Sequence, residues 1–165
     1  MAQVLIFGLG AEWYAIEICR VREVVLADTL HPVPRAPAAL LGAVNFHGSV
    51  VPVLDLGAWL GFARGARDAR IIVLEGEALS LALAVDRIHR IFAPAAEDFF
   101  PCADADVATD CIGAHFLWRG EVVNLLDVDR LIASLGFLAS GGTFFREGDS
   151  RQSHQEAIQG GQACP

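Results

Sequence analysis

The sequence predicts a mainly β protein made of two small barrels built on one plan, with short helices. Three observations carry that reading. Short apolar runs alternate with glycine, proline, asparagine and aspartate at close intervals along residues 3–126. No long stretch of helical periodicity interrupts them. The chain also repeats itself. Gly48-Ser49-Val50-Val51-Pro52-Val53-Leu54-Asp55-Leu56 aligns with Gly120-Glu121-Val122-Val123-Asn124-Leu125-Leu126-Asp127-Val128, five of the nine positions being identical. Upstream, Ala15-Ile16-Glu17-Ile18-Cys19-Arg20-Val21 matches Ala82-Leu83-Ala84-Val85-Asp86-Arg87-Ile88 in pattern; the two offsets are 72 and 67 residues.

The elements follow in order. Residues 3–9 are an apolar strand run, Gly8 and Gly10 mark a turn, and Trp13 to Ile18 returns as the second arm of a hairpin. Val21–Leu26 reads as a third strand. Pro32, Pro34 and Pro37 forbid a regular element and imply a stiff extended loop. Gly42–Phe46 and Val50–Leu54 are strands around the turn His47-Gly48-Ser49. Asp55 is placed to cap a short helix through Leu60, which Gly61 ends. After a charged stretch, 63–70, come strands at Ile71–Leu74, Leu79–Val85 and Ile88–Phe92. Residues 94–111 read as a long acidic loop. Ile112–Trp118 and Val122–Leu126 form a further hairpin, and Asp127 caps a helix to about Leu135.

Each half, near 70 residues, would have a marginal core alone, so the two are expected to fold as one unit spanning 1–138. The halves are placed roughly at 1–65, with strand exchange, and 66–138. The tail, 139–165, is rich in Gly, Ser and Gln, and disorder is expected there.

Composition excludes several function classes. All twelve basic residues are Arg against twenty acids, a formal charge of −8. No segment carries the basic footprint of a nucleic-acid binder. No apolar run approaches the roughly 20 residues of a spanning helix. The first seven residues lack a basic n-region and a small-residue cleavage site, so a cytoplasmic protein with reduced Cys19, Cys102, Cys111 and Cys164 is expected.

Catalytic chemistry finds little support. Gly8-Leu9-Gly10 has Trp13 where a dinucleotide fingerprint needs its third glycine. Cys102, Cys111 and His115 form the one thinkable zinc set, as the basis of a small metal- or thiol-dependent enzyme, but no CxxC or HExxH pairing accompanies them. Cys19 with His47, and Ser49 with Asp55, lack any nucleophile-elbow context. Asp55 is better explained as a cap, since Asp127 repeats it. No catalytic, cofactor or metal site is assigned.

The residues resemble the CheW-like domain family over about Val4 to Leu135. Phe7-Gly8-Leu9-Gly10-Ala11-Glu12-Trp13-Tyr14-Ala15-Ile16 is similar to its first hairpin, and Val21-Arg22-Glu23-Val24 to its third strand. The most specific segment is Pro32-Val33-Pro34-Arg35-Ala36-Pro37 followed by Gly42-Ala43-Val44-Asn45-Phe46-His47-Gly48-Ser49-Val50-Val51-Pro52-Val53-Leu54-Asp55-Leu56. The resemblance implies two intertwined five-stranded SH3-like barrels, no catalysis and no cofactor. It implies an adaptor that binds the regulatory domain of a CheA-type histidine kinase and the cytoplasmic tip of a methyl-accepting chemoreceptor, touching the membrane only through partners.

Carried over by position, the partner surface comprises Val21, Glu23, Val24, Asn45, His47 and Gly48. The family usually has Arg where this chain has His47, and often where it has Gly57. Both replacements remove a permanent charge from the expected interface. They leave room for a divergent, non-flagellar pathway, or for an adaptor that binds receptor without kinase.

Overall fold

The computed structural model describes residues 3–76, 80–102 and 110–139. Its strands are β1 (Val4–Leu9), β2 (Glu12–Glu17), β3 (Val21–Leu26), β4 (Leu40–Phe46), β5 (Ser49–Asp55), β6 (Arg70–Leu74), β7 (Ala82–Ala84), β8 (Arg87–Phe92), β9 (Phe99–Pro101), β10 (Ile112–Trp118) and β11 (Glu121–Leu126). The helices are α1 (Leu56–Trp59) and α2 (Val128–Ala139). Among the described residues no helix is long and apolar enough to cross a membrane.

The strands form two sheets. One runs β3-β6-β7-β5-β4, the other β8-β1-β2-β11-β10-β9. The duplication explains this order. Moving along by 72 residues carries β4 onto β10, and moving by 67 carries β2 onto β7, so the two sheets have one plan. Yet the β1–β2 hairpin sits in the sheet of β8, β10 and β11, while β6 and β7 sit in the sheet of β3, β4 and β5. Each sequence repeat has lent its first hairpin to the other. Two parallel pairings join the borrowed hairpins to their hosts: Val123 opposite Trp13, and Val53 opposite Ala82.

Both sheets curl. Edge strands β3 and β4 meet through Arg22 over the Phe46 ring, 5.3 Å from its centroid. Strands β8 and β10 meet through His89 and Trp118, whose ring centroids are 5.0 Å apart. These are the SH3-like barrels expected, with one addition: the three-residue β9 gives the second sheet a sixth strand.

The period-2 alternation of strands divides the core into three. In β1, Val4 and Ile6 face the interior of their own barrel, with Phe116, Trp118 and Val123. Leu5, Phe7 and Leu9, on the other face, enter a cluster shared by both sheets. In β6, Ile71 and Val73 face the first barrel's interior, while Ile72 and Leu74 join the shared cluster. Strands buried on both faces read as continuous apolar runs, which is why β1 is buried at all six positions. Each such side chain contributes about 1.5–3 kcal/mol by leaving water. The shared cluster also takes Leu131 and Leu135 of α2, so the two barrels cannot separate without exposing it.

The caps lie where expected. Asp55 Oδ1 accepts from Ala58 N at 3.1 Å, and Asp127 Oδ1 accepts from Asp129 N and Arg130 N. Gly61, with φ +87°, ends the chain's turn after α1.

Three segments differ from expectation. Residues 94–111 are not all loop: a 3-10 turn at 96–98 leads into β9, and Phe99 packs on Phe116 at 5.5 Å. Acidic neighbours masked that short apolar anchor. The charged stretch 63–70 does not divide the sheets; the chain changes sheet at Ile18–Arg20 and again at Val85–Asp86. In that stretch Asp68 ties β6 to β8, accepting from Arg70 and from Ile88 N at 2.9 Å, and the Arg70 guanidinium holds its carboxyl well below the usual carboxylate range. Strand β7 begins at Ala82, and Leu79 lies outside the described residues, as does the tail from 140 onwards.

Candidate partner-binding site

The site is built at one rim of the first barrel. In β3 the pairing with β6 shifts between Val21, opposite Leu74, and Glu23, opposite Val73, leaving Arg22 as a bulge residue. A bulge re-aims its side chain, and here it sends Arg22 onto Phe46. On the other side, β4 and β5 are joined by His47 (φ 48°) and Gly48 (φ 84°). Two successive left-handed residues make the tight hairpin turn whose twist matches its strands, and the second is a position that glycine fills without strain. Asn45 Oδ1 accepts from Gly48 N at 3.0 Å and fixes the turn.

This architecture aims His47 at Glu23. Their Nε2 and Oε2 atoms are 3.1 Å apart, with both side chains largely exposed. The His47 ring also meets Phe46 edge-on, centroids 4.3 Å apart. Glu23, His47, Asn45 and Gly48 therefore share one exposed rim. Val21 and Val24 do not: both are half-buried and pack against the shared core. Their contacts seat β3 on that core.

Two exposed apolar residues on these strands were not singled out. Val50, opposite Asn45 in the hairpin, is 76% exposed, and Leu26 at the end of β3 is 62% exposed. Valine and leucine in strands read as core. The signal was in the alternation, since Val51 and Val53 face inward and Val50 lies out of phase with them.

Gly57 is buried in α1, where a Cβ would make ordinary contact with Asp55 Oδ1 at 3.5 Å. A guanidinium reaches Asp55 from elsewhere: Arg67 Nη2 donates to Oδ2 at 2.8 Å. Asp55 is thus a buried structural acid, and its pairing with Ser49 has no catalytic form.

The remaining chemical candidates are also placed. Burial pushes the Cys111 thiol up, away from the reactive thiolate. His115 Nδ1 is 2.8 Å from Asn124 Oδ1 on the neighbouring strand. Among the described residues no group of three His, Cys, Asp or Glu side chains is arranged to hold a metal, so Cys102, Cys111 and His115 do not converge. Burial, followed by the Glu12 carboxylate accepting from its hydroxyl at 3.0 Å, raises Tyr14, which remains a neutral phenol.

Comparison with known proteins agrees with the fold. The profile of the CheW-like domain matches residues 3–136. Chemotaxis protein CheW of Rhizobium meliloti (strain 1021) is 27% identical over 136 residues, covering 80% of this chain and 88% of that one. Protein FrzA of Myxococcus xanthus is 33% identical over 119 residues, covering 68% and 73%. Among solved structures, scaffolding protein TtCheW from Thermoanaerobacter tengcongensis superposes with a TM-score of 0.70 at 23% identity, covering 76% of this chain and 88% of that chain.

Proposed function

The chain belongs to the CheW-like domain family, and from that premise we propose that it is an adaptor coupling methyl-accepting chemoreceptors to a CheA-type histidine kinase. The observation that carries the reading is the rim at Glu23 and His47. A bulge in β3 and a tight turn between β4 and β5 together place an acid and an imidazole 3.1 Å apart in solvent. Exposed apolar Val50 stands opposite Asn45 in the hairpin that carries His47. An apolar centre with a polar rim is the composition of a protein–protein contact. The apolar face of a helical receptor tip is a fitting ligand for it.

The coupling itself needs two faces. Two barrels locked by a shared core supply a rigid body on which two partners can be held at fixed separation. Binding would be tested separately, by titrating the purified chain with a receptor-tip fragment and with the kinase regulatory domain. Saturable binding of both supports coupling. Receptor binding alone would turn the reading to an adaptor that withholds receptors from the kinase, and kinase binding alone would remove the receptor assignment.

A second reading keeps the adaptor and changes the output. His47 in place of the usual Arg fits a partner set of its own, as a chemosensory pathway that does not end at a flagellum would have.

A further inference from the structure

Side chains close the seam of the first barrel. Strands β3 and β4 are the two ends of its strand order. They meet through Arg22 over the Phe46 ring and through Glu23 Oε2 against His47 Nε2 at 3.1 Å. The imidazole is held in place. His47 sits at φ 48° in a turn fixed by Asn45 Oδ1 accepting from Gly48 N, and its ring lies edge-on to Phe46, centroids 4.3 Å apart. Both members of the pair are exposed, so protons reach them freely. The elements around the ring are β3, β4 and β5. Residues 40–54 of its own hairpin hold no Asp, Glu or Arg, and β3 contributes Arg22 and Glu23 as its charged side chains.

The turn itself does not call for an imidazole. In the second barrel the hairpin of β10 and β11 turns through Arg119 (φ 53°) and Gly120 (φ 82°), nearly the backbone of His47 and Gly48. In β8 the pairing with β1 shifts between Ile88, opposite Phe7, and Arg90, opposite Ile6, leaving His89 as the bulge residue. His89 thus corresponds to Arg22, and Arg90 to Glu23. Guanidinium groups stand at both places where the first barrel has an acid and an imidazole. That seam closes through His89 against Trp118, centroids 5.0 Å apart. Among the described residues, His47 with Glu23 is the one ion pair that contains a histidine.

We infer that the Glu23–His47 pair is a pH-responsive latch on the barrel seam, closed when His47 is protonated and slackened when it is neutral, and that the closed rim is the form that docks. Imidazole is the side chain whose ordinary titration lies between about pH 5 and 8, where carboxylates stay ionised and guanidinium groups stay charged. Protonation puts a charge on the donor side of the 3.1 Å contact, and a charge-assisted hydrogen bond is about twice as strong as a neutral one. Loss of the proton leaves Glu23 beside a neutral ring and makes the rim one charge more negative. A closed latch holds both side chains still, so less freedom is lost when a partner lands on them. The inference rests on the adaptor reading for what docks, and adds that docking weakens as the imidazole loses its proton.

The test has two readouts, both on the full chain. Carbon-13 NMR follows the Glu23 side-chain carboxylate from about pH 5.5 to about pH 8, in the parent and in His47→Gln. Isothermal titration with a receptor-tip fragment of the source bacterium, at about pH 6 and about pH 8, compares the parent with His47→Arg, whose charge is permanent, and with His47→Gln, which has none. The expected result is a step in the Glu23 signal that His47→Gln lacks, and parent affinity about two- to fivefold higher at the lower pH. His47→Arg keeps the higher affinity at both pH values and His47→Gln the lower one. Circular dichroism checks that the variants stay folded. A Glu23 signal flat in the parent, a step that survives in His47→Gln, or a parent affinity ratio equal to that of both variants would overturn the inference. A fragment that binds the parent at neither pH overturns the adaptor reading instead, and the Glu23 signal still decides whether the latch exists.

Discussion

Glu23 and His47 stand 24 residues apart in the chain and on opposite edge elements of one sheet, yet Oε2 and Nε2 are 3.1 Å apart. The barrel's closure makes the pair, and the pair marks the seam. Because both side chains are exposed, it contributes little to stability, about 0–1 kcal/mol.

That division gives a first prediction. Glu23→Arg leaves the thermal midpoint almost unchanged and weakens binding of a receptor-tip fragment by about tenfold or more. Calorimetric unfolding and isothermal titration measure the two effects. A variant that stays folded and binds undiminished would remove Glu23 from the site.

The two caps should differ in weight. Asp127 is half-exposed, caps α2 and meets only the exposed Arg130 of the same helix at 3.5 Å, so Asp127→Ala costs about 1 kcal/mol. Asp55 is buried, caps α1 and also receives Arg67, so Asp55→Ala leaves a guanidinium without its partner and costs about 3 kcal/mol. Urea titrations of both variants decide the order.

Asp68 predicts how the fold responds to acid. Its carboxyl is held below its ordinary value by Arg70. Its contribution is therefore complete above the unfolded value, about 4, and is lost as pH falls through the depressed folded value. Stability of the parent chain should drop more steeply below about pH 4 than that of Asp68→Asn, which is already weaker at neutral pH. Parallel slopes in denaturant series across that range would contradict the assignment.

Thiol chemistry separates two cysteines. Cys19 is exposed, whereas Cys111 is buried with its thiol pushed up. Brief iodoacetamide treatment at mildly alkaline pH should label Cys19 first and leave Cys111 intact until the fold is opened, as peptide mass mapping will show.

Much of this architecture was legible in the sequence, and the rest was hidden for physical reasons. Apolar runs such as Val4–Leu9 and Ile71–Leu74 announce strands because burial on both faces removes polar positions. Asp55 and Asp127 announce helix starts because a cap acts within three residues. Hairpin exchange is nonlocal. The parallel pairings of Val123 with Trp13 and of Val53 with Ala82 leave no mark in either strand, only a difference between offsets of 72 and 67. Core packing of Val21 and Val24 was legible as the alternative to partner contact, but what they pack against was not, because the shared core that receives them is assembled from both repeats. The Arg119 turn was in plain view, one residue before the aligned Gly120. Its meaning required the two bulges, which depend on register with distant strands.

The central claim is that this chain couples a receptor to a kinase, and the most direct measurement is co-sedimentation. Receptor-tip fragments displayed on liposomes would be spun down with the purified kinase regulatory domain, with and without the chain. The expected result is kinase domain in the pellet only when the chain is present, with that recovery lost for Glu23→Arg. Kinase domain that stays in the supernatant, although each partner alone binds the chain, would contradict coupling.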